Sequence, residues 1–286
     1  MKSWSETLEP TDFTSTYKID RLLHEEHSEF QHILLFENAI MGRVLALDGV
    51  VQTTEKDEFC YHEMIVHVPL LAHGKARRVL IVGGGDGGAA EEVFKHRDVE
   101  LVTLVDIDRT VIELSKRYLG AISGDAFEDP RLDLVIADGC KFIAESDARY
   151  DVIIVDAPDP VGPGAVLFSN EFYAGCKRCL APGGVLVTQN GVPFIQSVEL
   201  RDSMAALASL FADSCCYVTH VPAYVGGPMA LGWASDNTEL WRTPLDILAS
   251  RFEQAAIDTR YYTPAVHQAA FAVPRFIEDL TGRRQY

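Results

Sequence analysis

The stretch "VLIVGGGDGGAAEEV", residues 79–93, decides how the chain folds. A short apolar run ends in five glycines around one aspartate, and a helix-like segment follows. A strand, a glycine turn and a helix in that order normally make an anion site. Backbone N–H groups and the helix N-terminus then face a phosphate or carboxylate. Asp86 places a carboxylate in the middle of that site, which raises the question of what ligand wants an acid there.

The pattern continues outward from this motif. "RRVLIVG", "VELVTLVDID", "RLDLVIADG", "YDVIIVDAPDP" and "GGVLVTQNG" read as five strands, the first a continuous apolar run expected of a parallel strand buried on both faces. Helical segments fall between them at about 87–96, 108–118, 139–146 and 169–180. The alternation predicts an α/β fold with a doubly wound, mostly parallel sheet. "CCYVTHVPAY" and "GPMALGWASD" read as a closing antiparallel hairpin. "LAPGGVLVTQNG" resembles the turn into the fifth strand of methyltransferase-like sheets.

Residues 1–55 differ from the rest. "YKIDRLLHEE", "FQHILLFENA" and "GRVLALDGVVQTTE" are short runs with β character, and Asp48-Gly49 is a hairpin signal. A small antiparallel N-terminal β domain over 1–55 and a Rossmann-like domain over 56–286 are expected. "DEFCYHEMIVHVPLLAHG" forms a helical link ended by Gly74.

Of 286 residues, 48% are apolar, enough for a packed core. The net charge of −17 argues against a nucleic-acid partner and favours cationic ligands. No apolar run has the length of a membrane span, and the N-terminus lacks a signal-peptide pattern, so a soluble cytoplasmic protein is expected. Cys176 and Cys179 form a CxxC on a helical pattern with no further zinc ligands at suitable spacing, which reads as core packing or ordinary thiols. Vicinal Cys215 and Cys216 should point to opposite faces of a strand.

Ligands of such sheets sit at the carboxyl ends of the strands. Here those ends carry Asp86, Asp106, Asp138, Asp156 with Asp159, and Gln189. Four successive strands delivering acids to one rim is hard to attribute to solubility. Gly83, Gly85 and Gly88 fit GxGxxG, with Asp106 at the distance of a ribose-binding acid. NAD fits poorly, because Asp86 would repel a pyrophosphate and the sheet lacks a second nucleotide-binding half. Asp138 reads equally as an adenine acceptor or a helix N-cap. Asp156 and Asp159 can together hold an ammonium group and accept its proton. His62 and His67 are five apart and do not form a zinc pair on one helix face. Tyr61 and His62 can reach the rim, although packing would explain them as well. No Walker lysine, GxSxG or catalytic triad is present.

Taken together, "LALDGVVQTTEKDEFCYHEM", "VLIVGGGDGG", "VDID", "ADG", "VDAPDPVGPG" and "VTQNG" resemble the spermidine synthase family of polyamine aminopropyltransferases, across nearly the whole chain. The resemblance implies transfer of an aminopropyl group from decarboxylated S-adenosylmethionine to putrescine, giving spermidine and methylthioadenosine. It implies no metal or redox cofactor, and assembly as a homodimer or homotetramer. By the same resemblance Asp86 holds the donor's ammonium, Asp106 and His62 the ribose, and Gln31 helps hold the donor. Asp138, Gly139 and Pro163 meet the adenine, Asp156 accepts the proton, and Asp159 and Tyr61 orient the amine. Gln189 and Tyr224 line the acceptor channel. Three positions depart from the family's usual pattern: Asp106 stands for a commoner glutamate, Glu91 for a frequent arginine, and Ala165-Val166 for Glu-Ser. They bear on ribose contacts, acceptor preference and loop closure. Cadaverine as acceptor, a diamine N-methyltransferase and a non-catalytic binding protein are the competing readings.

Overall fold

A computed structural model describes residues 2–8, 13–159 and 162–282. The N-terminal stretch forms antiparallel strands in two sheets. β1 (Lys2–Leu8) pairs with β2 (Phe13–Ile19), and β3 (Arg21–His27), β4 (His32–Asn38), β5 (Gly42–Leu47) and β6 (Val50–Thr54) pair in sequence. The turn between β5 and β6 holds Asp48 at φ 49° and Gly49 at φ 83°, the positive values a two-residue hairpin needs. One expectation is corrected. "YKIDRLLHEE" is not a single run: it breaks at Asp20, and its halves belong to different sheets. The physical reason is that each half finds its own partner strand, β1 for the first and β4 for the second.

The linking helix α1 (Phe59–His73) is buried almost throughout, with Cys60–Ala72 all inside. Gly74 ends it at φ 72°, donating its N–H to the Leu70 carbonyl at 2.8 Å. β7 (Arg78–Gly83), β8 (Leu101–Asp106), β9 (Leu132–Ile136), β10 (Tyr150–Asp156), β11 (Leu180–Gln189), β12 (Asp213–Thr219) and β13 (Met229–Ser235) make one seven-stranded sheet in the order β12-β13-β11-β10-β7-β8-β9. The first five of these strands pair in parallel; β13 runs antiparallel between β11 and β12. The helices between strands are α2 (Gly88–Phe94), α3 (Arg109–Tyr118), the short α4 (Gly120–Ser123), α5 (Gly139–Glu145), α6 (Asn170–Cys179) and α7 (Ser197–Leu210).

The apolar strand runs are read out on both faces. Val79 and Ile81 of β7 pack with Met64 and Ile65 of α1, while Leu80 and Val82 pack with Phe172 and Tyr173 of α6. Each such side chain is worth about 1.5–3 kcal/mol when fully buried. Cys215 and Cys216 fall into opposite clusters, and Cys176 and Cys179 share one. The four-stranded sheet lays Ile33, Leu35, Leu45 and Leu47 against Val111 and Leu114 of α3. That contact brings the N-terminal strands over the carboxyl rim of the main sheet. Among the described residues no helix is long and apolar enough to cross a membrane.

Candidate active site

The order of strand addition reverses at β7 and β10, which lie side by side and parallel although three strands apart in sequence. Asp156 at the end of β10 pairs in register with Gly83 at the end of β7. The glycine there is obligatory on two counts: φ is 85°, and a Cβ would stand 2.0 Å from the Asp156 carbonyl oxygen. The next residue, Gly84, donates its N–H to that same oxygen at 2.8 Å. Gly85 is small for a different reason, since its Cβ would stand 2.6 Å from the Asp106 carboxylate. The glycine loop is therefore shaped to let acids from β8 and β10 approach it.

These groups open on a cavity of about 650 Å³ between the rim and the N-terminal strands. Seven acidic residues line it, and among the described residues its wall holds no lysine or arginine. Asp86 accepts the Gly88 N–H at 2.9 Å, and its other oxygen lies 3.4 Å from His62 Nε2. His62 Nδ1 is 2.8 Å from Glu58, one helical turn back on α1. Burial alone would favour a neutral ring, but the carboxylates of Asp86 and Glu58 outweigh it and hold His62 well above its ordinary value. Burial would likewise raise Asp86; the imidazolium overcomes it and keeps Asp86 below the usual carboxylate range.

Asp156 receives the Tyr61 hydroxyl at 2.6 Å. Burial, reinforced by Asp86, pushes its carboxyl up to about 6. Burial also pushes Asp106 up to about 6, against the stabilising Asp108 N–H at 2.8 Å. Burial and Asp156 hold the Tyr61 phenol well above its ordinary value, so it acts as a donor. Asp159 is gripped by Gln189 Nε2 at 3.0 Å and Gln196 Nε2 at 2.6 Å. Tyr224 donates its hydroxyl to the Gln52 carbonyl and stacks edge-on to Tyr61. Asp138 caps α5, accepting the Cys140 and Lys141 N–H groups through one oxygen at 2.8 and 3.1 Å. It and Gly139 also line the cavity, so cap and wall are one residue. Gln31 lines the cavity too, and its amide donates to Asp108 at 2.9 Å. Of the residues expected at the site, Pro163 falls in the 3-10 segment Gly162–Phe168, and its side chain lies outside the described residues.

Among the polar residues of the wall absent from the expected site are Ser5, Asp48, Gln52, Gln196 and Glu6. The last is the most informative. Glu6 on β1 accepts the Val51 N–H at 2.9 Å through one oxygen, while the other is buried with no hydrogen-bond partner. Burial raises its carboxyl to about 7. No local signal marked it, because Glu6 comes from a strand far from the rim in sequence. His62, Asp86 and Asp156 bring polar atoms within 4.8 Å of one another.

The sequence profile of the spermine/spermidine synthase domain matches residues 58–243, and that of the spermidine synthase tetramerisation domain matches residues 3–55. Polyamine aminopropyltransferase 1 of Pseudomonas aeruginosa is 52% identical over 284 residues, covering 99% of both chains. The polyamine aminopropyltransferase of an Enterobacter species is 50% identical, covering 99% of this chain and 97% of its own. Among solved structures, a spermidine synthase in complex with the transition-state analogue AdoDATO superimposes with a TM-score of 0.94 at 35% identity, covering 98% of this chain and 95% of that one. The spermidine synthase of Thermotoga maritima gives 0.92 at 34%, covering 99% and 94%. With the rim acids, the glycine loop and the whole length of the chain in agreement, the protein belongs to the spermine/spermidine synthase family.

Proposed function

We propose that the protein transfers the aminopropyl group of decarboxylated S-adenosylmethionine to putrescine, forming spermidine and methylthioadenosine. The observation that carries this reading is the charge of the cavity: seven acids and no lysine or arginine among its described residues. Donor and acceptor together bring a sulfonium and several amines, which suit such a wall.

The donor's nucleoside fits the Asp106–Asp138 side, with Asp106 on the ribose, aided by His62 and Gln31, and with Asp138, Gly139 and Pro163 about the adenine. Its ammonium meets Asp86. Ordinary S-adenosylmethionine carries an α-carboxylate beside that ammonium. Two like charges about 4 Å apart at an effective dielectric of about 20 repel by about 4 kcal/mol. Asp86 thus attracts one donor and repels the other.

The acceptor amine lies between Asp156, Asp159 and Tyr61, with Gln189 and Tyr224 along its channel. A new N–C bond forms at the carbon beside the sulfonium as the C–S bond breaks. The electron pair stays on sulfur, leaving a neutral thioether, and the nitrogen's proton goes to Asp156. The leaving group is already good, so catalysis consists of positioning and proton removal. A carboxyl raised to about 6 is a stronger base than an ordinary one and is still ionised at neutral pH. Glu6, with its unpartnered buried oxygen, is suited to the acceptor's second ammonium, which supports a diamine over a monoamine.

The antiparallel strands over 1–55 and the remainder, 56–286, are read as two units, the first serving assembly into a dimer or tetramer in the cytoplasm. The test is a product assay with both donors, each offered with putrescine, cadaverine and spermidine. Methylthioadenosine formed only from the decarboxylated donor with putrescine supports the reading. Methylation from the ordinary donor, or preference for cadaverine, replaces it.

A further inference from the structure

Asp108 does not line the cavity, yet it is 1% exposed and holds four groups together. One oxygen caps α3 by accepting the Thr110 N–H at 2.9 Å. The other receives the Ser28 hydroxyl at 2.6 Å and the Gln31 amide at 2.9 Å. Its own N–H donates to Asp106 at 2.8 Å. Ser28 in turn accepts the N–H groups of Phe30 and Gln31, both at 3.1 Å. The loop between β3 and β4, which supplies Phe30 and Gln31 to the cavity wall, is therefore organised around one hydroxyl, and that hydroxyl is anchored on one carboxylate.

We propose that Asp108 is a positioning residue for the donor: from behind the wall it fixes the Ser28–Gln31 loop and Asp106 relative to each other, so that the N-terminal strands complete the nucleoside half of the site. The proposal rests on reading the Asp106 side as that half. It acts on donor affinity and leaves the chemistry at Asp156 alone.

Asp108→Asn tests it with little change of shape. One oxygen keeps the cap on Thr110, while an NH2 group replaces the acceptor that Ser28 and Gln31 now share. The measurements are calorimetric binding of methylthioadenosine and steady-state kinetics with the decarboxylated donor and putrescine, in wild type, Asp108→Asn, Gln31→Ala and the double variant. Ser28→Ala, in a half-buried loop position, serves as a second probe that leaves the helix cap intact.

The expected result is a loss of about tenfold in nucleoside affinity and a matching rise in donor KM, the scale of one hydrogen bond to a charged group. Expected kcat and putrescine KM stay within about twofold. In the Gln31→Ala background, Asp108→Asn should cost less than in wild type, because one of its contacts is already gone. Ser28→Ala should shift donor KM in the same direction. Full additivity of the two substitutions overturns the proposal, as does an equal change in kcat and both KM values. A lowered unfolding temperature with unchanged donor affinity also overturns it. A protein that binds the nucleoside with the expected non-additivity but transfers no aminopropyl group would sink the proposed function and keep the positioning role.

Discussion

Helix α1 carries buried polar groups of two kinds. At its N-terminal end Tyr61 and His62 face the cavity and pair with Asp156 and Asp86. The next residue, Glu63, takes the backbone N–H groups of Arg260, Tyr261 and Tyr262 at 2.6–2.8 Å. His67 lies 3.0 Å from His96 on one side and 3.0 Å from Glu92 on the other. Both halves are equally buried. They differ in what completes them: Glu63 uses both oxygens on backbone N–H groups, while Asp86 and Asp156 also face an open cavity.

That contrast can be broken in an ordered way. Asp156→Asn is expected to have the largest effect. Turnover should fall by about a hundred- to ten-thousand-fold, the range for losing a general base. Methylthioadenosine binding and the unfolding temperature should stay near wild type, read by calorimetry and thermal melts. Asp86→Asn should come next. The preference for the decarboxylated over the ordinary donor should drop by up to about 4 kcal/mol in relative binding, measured by competition of the two donors for the site. Glu63→Ala should do the reverse of Asp156→Asn. It strands three N–H groups at about 1–3 kcal/mol each, so the melting temperature should fall while the KM values of the surviving enzyme change little.

The smallest effects concern pH, and there the two halves should oppose each other. Burial depresses His67 and His96 to about 3 in the folded protein, against about 6.5 unfolded. Between those values the unfolded chain binds more protons. The stability these residues support is present above about pH 6.5 and is lost as pH falls. Asp106 and Asp156 at about 6 and Glu6 at about 7 are raised, so the folded, empty protein binds more protons than the unfolded one. Their contribution is present below about pH 4 and is lost as pH rises through 6–7. Cationic ligands restore what the ionised acids lose. The rise in melting temperature produced by methylthioadenosine plus putrescine should therefore grow from pH 5.5 to pH 8. A shift independent of pH would show that these carboxylates do not face the ligands. Over the same interval kcat/KM should climb, because the acids must be ionised in the free enzyme.

Much of this was legible in the sequence because the information was local. Apolar runs announced the parallel strands, Asp-Gly announced the hairpin, and each rim acid stood at the end of its own strand. The N-terminal strand β1 and the break at Asp20 were not legible, since neither has an apolar run of its own and both depend on which partner strand is available. Asp138 read locally as either an adenine acceptor or a helix cap; the structure shows the cap, on a residue that also lines the cavity. Glu6, Gln52 and Gln196 went unread for a single reason. Their place at the cavity is made by chain segments that meet only after folding, and nothing in their immediate neighbours records it.

The pairing of Asp156 with Gly83 across adjacent strands has a consequence for precision. Neighbouring strands repeat at about 4.8 Å whatever their side chains. Asp156 stands on one strand, and the loop that presents Asp86 leaves the next, joined to it by the bond from Gly84 to the Asp156 carbonyl. The span from Asp156 to the loop of Asp86 is thus laid down by backbone ladder geometry, like graduations on a ruler. The surrounding loops can be lengthened, recharged or retuned for other amines while that span stays the same.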